Sequence, residues 1–149
     1  MHLKVGVIVS ESRVIMKLNG GCLCGELRYK VDVNSIDAGF CHCKICQRAN
    51  GAPTVAWMTV PVVGFVYTSG KPGVYVSSKR FQREFCVGCG TQIAFRATCN
   101  PETIDITLCS LDDSSAIEPQ YHIWCQSKVG WLRVNDDLPQ FTDSGPDDP

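Results

Sequence analysis

Phe40-Cys41-His42-Cys43-Lys44-Ile45-Cys46-Gln47-Arg48 is the stretch from which the rest of the chain is read. Its C-x-C-x-x-C spacing confines three sulfurs within six residues. Two further pairs flank it, Cys22 with Cys24 before and Cys86 with Cys89 after. Seven clustered thiols are one short of two complete four-thiol sites. They divide naturally as four plus three, one closed metal site and one with a vacant position.

Cys86-Val87-Gly88-Cys89-Gly90 is the most specific of these local motifs. Two cysteines bracketing a tight turn can grip a tetrahedral ion, and the glycines permit positive φ and close approach of backbone N–H groups to sulfur. Cys22 and Cys24 leave the same face of an extended segment. Joined to Cys86 and Cys89 they would complete a Zn²⁺ site of net charge about -2 with no open position, a structural staple. Cys41, Cys43 and Cys46 would then hold Zn²⁺ with the fourth position vacant, the layout of a catalytic site. Soft thiolates favour zinc or iron–sulfur over magnesium or calcium, and an iron–sulfur cluster wants a fourth cysteine that no neighbour in sequence supplies. Spacing alone leaves the partition open, since Cys22 and Cys24 could join the middle group instead.

The chain has 149 residues, 44% of them hydrophobic, which suits one domain with an ordinary core. Net charge is -1, so no global field draws in a polyanion, and nucleic acid is not an expected partner. Neither H-x-E nor P-C-x-x-C, the base-deaminase pattern, occurs. No apolar run approaches the ~18 residues of a membrane span. The short run at 5–9 lacks the marks of a secretory leader, so ten cysteines, seven of them in metal-ligand spacing, imply a reducing, cytoplasmic setting. Residues 1–15 read as an extension, 16–141 as a single zinc-binding domain and 142–149 as a disordered acidic tail.

Hydrophobic alternation predicts strands throughout. Leu27, Tyr29, Val31 and Val33 alternate with polar residues, as do Ile104, Ile106 and Leu108. Further strands are expected over 55–60, 65–68, 74–77, 81–85, 92–96 and 121–125, with 131–134 packing near the last. Asn19-Gly20-Gly21 reads as turn material, and residues 44–50 as a helical turn stopped by Gly51-Ala52-Pro53. The expected class is mainly β, with short antiparallel strands and little helix.

Other polar groups are candidates for contact with substrate. Arg48, Lys79, Arg80 and Arg83 are cations able to hold a carboxylate. His42 sits between two ligand cysteines and has an acid–base or packing role, whereas His122 reads as structural. Cys99, Cys109 and Cys125 read as small buried hydrophobes.

With these residues in view, the chain resembles the glutathione-dependent formaldehyde-activating enzyme family, whose fold is the Mss4-like β-tent. The likeness runs over 18–141 and is carried by several ordered motifs. Toward the N-terminal side these are Gly20-Gly21-Cys22-Leu23-Cys24-Gly25, Cys41-His42-Cys43-x-x-Cys46-x-Arg48 and Gly51-Ala52-Pro53. Further on come Ser77-Ser78, Phe85-Cys86-x-x-Cys89-Gly90-Thr91, Leu111-Asp112-Asp113, His122-Ile123 and Asp137-Leu138-Pro139-x-Phe141. The resemblance implies a structural zinc on Cys22, Cys24, Cys86 and Cys89 and a catalytic zinc on Cys41, Cys43 and Cys46. It implies carbon–sulfur lyase chemistry that joins glutathione and formaldehyde as S-(hydroxymethyl)glutathione, or splits the adduct. Glutathione's two carboxylates then want cations, for which Arg48, Arg80 and Arg83 are the candidates. The alternative that the fold permits is a non-enzymatic zinc-binding module that docks a protein.

Overall fold

The computed structural model describes residues 15–145. Most of the expected extension, and the last four residues of the expected tail, therefore lie outside the described residues. Among the described residues, ten strands form two sheets, accompanied by one α-helix. The small sheet has the order β1-β2-β5, from Met16–Gly21, Arg28–Val33 and Phe65–Ser69. The large one runs β10-β3-β4-β9-β8-β7-β6. Its strands are β3 (Asp37–Cys41), β4 (Val55–Pro61), β6 (Gly73–Val76), β7 (Phe81–Phe85), β8 (Gln92–Ala97), β9 (Thr103–Thr107) and β10 (His122–Ile123). All pairings are antiparallel except β10 on β3.

Strand alternation separates the core from the site. In β4, Met58 and Val60 point to one side, where they meet Ile104 and Ile106 of β9, Ile93 of β8, and Tyr29 and Val31 of the small sheet. That contact between the sheets is the main core, and it removes these side chains almost wholly from water. Val55 and Trp57 leave β4 on the other side and pack with Cys41 and Cys46 in a second, smaller cluster. Both faces of β4 are covered, which is why it reads as a continuous apolar run.

The helix α1, Lys44–Asn50, occupies the expected span and ends at Gly51, whose φ of 60° is left-handed. Three expectations need correction. Asn19-Gly20-Gly21 is strand, the end of β1 paired with β2 through Gly21 and Arg28. Its glycines serve close approach: a Cβ on Gly20 would lie 2.3 Å from the Tyr29 hydroxyl. The late strand is only His122–Ile123, because Trp124 turns left-handed (φ 56°) into the 3-10 turn Cys125–Ser127. Trp131, in the segment expected to pack near that strand, is instead exposed. The strand β3, which delivers Cys41, lacks hydrophobic alternation and was not expected. Beyond residue 141, the carbonyls of Thr142 and Asp143 still accept from Gln126 and Trp124. Among the described residues no helix is long and apolar enough to cross a membrane.

Candidate functional site

All ten cysteines are free, and seven of them meet in two clusters. Cys22 and Cys24, from the turn between β1 and β2, face Cys86 and Cys89, from the turn after β7, with all four sulfurs within 4.8 Å of one another. Cys22 and Cys24 Sγ are 3.4 Å apart, and Cys24 and Cys86 Sγ 3.7 Å. Four sulfurs on a tetrahedral ion with Zn–S of ~2.3 Å would lie about 3.8 Å apart, so this donor set fits a metal ion as it stands. The Leu27 N–H donates to Cys22 Sγ at 3.2 Å. The Thr91 hydroxyl beside Cys89, followed by backbone N–H groups, holds that thiol down to about 5. Gly90 has the positive φ expected of it, 77°, but Gly88 does not. Gly88 instead supplies room, since a Cβ there would sit 2.8 Å from Glu26 Oε2.

The second cluster forms where β3 runs into α1. Cys41 ends the strand, Cys43 caps the helix by accepting the Cys46 N–H at 3.2 Å, and Cys46 lies inside the first turn. Their three sulfurs are within 4.8 Å of one another, and the cluster contains no further His, Cys, Asp or Glu ligand among the described residues. Hydrogen bonds from Cys41 and Cys46 pull the Cys43 thiol far down, and sharing with Cys43 and Cys46 pushes Cys41 up. A shared set of this kind loses protons most readily to a cation. All three thiols open on a cavity of about 490 Å³. Its walls include Trp57, Phe81, Phe95, Tyr121 and Trp124, with Thr59 and Asp105 among its polar groups.

Arg83 sits at this cavity's edge. It is only 6% exposed, with Nη2 3.9 Å from Cys46 Sγ and its guanidinium 4.9 Å from the Phe95 ring centre. Its Nε and Nη1 have no partner among the described residues. A buried cation with two orphaned donors is costly unless a ligand satisfies them. Arg83, Ser77, Lys44 and Ile45 also wall an adjoining cavity of about 530 Å³, to which Arg48 contributes. Arg80 is exposed over Phe81, 5.4 Å from the ring centre, and lines neither cavity.

His42 faces away from the thiols. It is fully buried and lies 2.9 Å from His122 Nδ1, while His122 Nε2 meets Asp136 at 2.8 Å. Cys99 and Cys109 are exposed rather than buried, and Cys125 is half-buried, because none of the three reaches the core. Sequence reasoning missed the aromatic wall, Asp105 and Asp136. Those residues are remote from the cysteines in sequence, and only alternation along β4 and β9 hinted at a shared face.

Residues 17–127 match the family described as glutathione-dependent formaldehyde-activating enzyme, a span that contains both thiol clusters. The chain belongs to that family. Among curated relatives of this family member is an uncharacterized lyase of Schizosaccharomyces pombe, 31% identical in an 87-residue alignment that covers 53% of this chain. The chain spans 57% of that relative's length. A crystal structure of a Rhodobacter sphaeroides protein superposes with a TM-score of 0.55 at 21% identity, covering 68% of this chain and 92% of that one. That likeness bears on the fold and agrees with the mainly β, Mss4-like architecture of the family.

Proposed function

We propose that this protein is a zinc-dependent carbon–sulfur lyase acting on a thiol–aldehyde adduct of the S-(hydroxymethyl)glutathione type. The observation that carries this reading is the division of the thiols, four gathered in one knuckle and three opening on a cavity beside a buried arginine. In this reading Cys22, Cys24, Cys86 and Cys89 hold a structural zinc, and Cys41, Cys43 and Cys46 a second one. Bound there, zinc would supply Lewis acidity that keeps a substrate thiol ionised at neutral pH.

The chain's own groups do the rest. Arg83, which lines both cavities, offers its cationic guanidinium to a substrate carboxylate. Lys44 and Arg48 line the adjoining cavity and add charge for a second carboxylate; Arg80 would act only from the rim. Holding the thiol by its acidic arms fixes the sulfur against the carbonyl carbon. In the forward direction the C–S bond forms, the carbonyl π pair moves to oxygen, and that oxygen takes the proton the thiol gave up. Cleavage reverses each movement, and the aromatic walls, buried at Trp57 and half-buried elsewhere, limit water at the reacting atoms. The family and the relative named as a lyase support this chemistry.

The test is exchange between adduct and components, followed by NMR on protein loaded with two zinc ions, using glutathione with formaldehyde and with larger aldehydes. Exchange above the spontaneous rate for at least one aldehyde is expected. Spontaneous rates for all of them, with both metals bound, would overturn the reading.

A further inference from the structure

The cavity beside the three thiols is larger and more aromatic than formaldehyde requires. Formaldehyde has two heavy atoms and needs about the room of two waters, ~60 Å³. The cavity's roughly 490 Å³ instead falls in the ~300–1,000 Å³ range of sites that enclose whole organic ligands.

Sheet register builds this space. Trp57 on β4 pairs with Gly39 on β3, and the Tyr121 ring covers Gly39 so closely that a Cβ there would lie 2.3 Å from it. Phe95 on β8 pairs with Asp105 on β9, which pairs with Thr59 on β4. Phe81 stacks on Phe95 at 4.9 Å, and Trp57 tilts against Phe95 at 6.5 Å. The charge arrangement gives the space a direction. Arg83 and Lys44 stand on the wall shared with the adjoining cavity. Two strands from Arg83, across Phe95, is Asp105, whose carboxylate accepts from the Thr59 hydroxyl at 2.7 Å. Thr59 lies four residues along β4 from Val55, the partner of Cys41, and so ~13 Å of backbone from that end of β3. An acid there repels the carboxylates of an acidic thiol, which leaves them the cationic side. The aromatic space falls to the other half of the adduct.

We propose that this cavity is the subsite for the aldehyde-derived carbon group, and that it takes a ring-bearing, apolar aldehyde in preference to formaldehyde. The proposal rests on the lyase reading above and narrows its substrate class. The chemical step is unchanged: sulfur adds to the carbonyl carbon, and the oxygen receives the thiol's proton.

The zinc-loaded protein is titrated by calorimetry with S-methylglutathione and S-benzylglutathione, stable thioethers that stand in for a small and a ring-bearing adduct. Burial of one ring predicts at least tenfold tighter binding of the benzyl compound. Phe81→Ala, at a half-buried position, should bring the two affinities close together, and Trp57→Ala should do the same if it folds. Adduct exchange should favour phenylacetaldehyde over formaldehyde at equal concentration. Equal binding of the two thioethers, or faster exchange with formaldehyde, would overturn the preference and leave the lyase reading standing. Binding of neither thioether, with no aldehyde exchanged above background, would overturn both.

Discussion

His42 Nε2 lies 2.9 Å from His122 Nδ1, stacking the two rings 5.1 Å apart between the thiol loop and the chain's late segment. Asp136 accepts from His122 Nε2, which leaves Nδ1 of a neutral ring as acceptor and His42 Nε2 as donor. The His42 backbone N–H also donates to the Ile123 carbonyl at 3.0 Å. The residue between two candidate ligands is therefore an anchor, holding Cys41 and Cys43 from behind while their sulfurs face the cavity.

Replacing His122→Phe keeps the stacking on Phe40 but removes both ring nitrogens. The buried His42 donor then goes unsatisfied, at a cost of about 1–3 kcal/mol. Urea denaturation should show that loss, and zinc competition should show weaker binding at the three-cysteine site alone. Unchanged stability and affinity would refute the anchoring role.

The two thiol clusters should separate by metal content. Zinc-grown protein is expected to carry two ions per chain. Cys43→Ser should fall to one with its circular dichroism kept, whereas Cys86→Ser should lose the fold, since a closed thiolate site couples binding to folding. Equal zinc in wild type and Cys43→Ser would mean that the middle thiols hold no stable metal.

Arg83→Met retains the packing on Phe95 but removes the orphaned donors. For glutathione KM should rise about tenfold or more, the loss expected for a charged hydrogen bond. For 2-mercaptoethanol, which has no carboxylate, it should hardly move. A matching loss with both thiols would point to misfolding rather than recognition.

Burial pushes the Asp105 carboxyl up, against the lowering effect of the Thr59 bond. A raised native value means the folded protein holds that proton more tightly than the unfolded chain. Stability from this group is therefore greatest below about pH 4 and declines as pH rises through the native value. Asp105→Asn removes the decline. The melting temperature of the variant minus that of wild type should grow from acid to neutral pH and then level off; a flat difference would exclude the effect.

Gly20→Ala should be costly although it adds one methyl group. Its Cβ would stand 2.3 Å from the Tyr29 hydroxyl and 2.5 Å from the Ser110 carbonyl. The buried Tyr29–Ser110 hydrogen bond would have to shift, so overpacking of about 1–3 kcal/mol is expected in thermal or urea denaturation.

By itself the sequence determined which thiols are neighbours in pairs and triplets, because a few covalent bonds confine them wherever the chain goes. It determined most strands as well, and the span of α1, through alternation and the Gly-Pro stop. The order of the strands, and with it the joining of Cys22 and Cys24 to Cys86 and Cys89, was decided only when the chain folded. So was the company of Arg83, Trp57, Phe95 and Asp105 around the open thiols. These residues come from separate strands, and their nearness depends on sheet register, which no local pattern encodes. The same holds for β3 and the His42–His122–Asp136 chain: Asp37-Ala38-Gly39-Phe40 has little strand pattern of its own and becomes a strand because β4 and β10 pair with it.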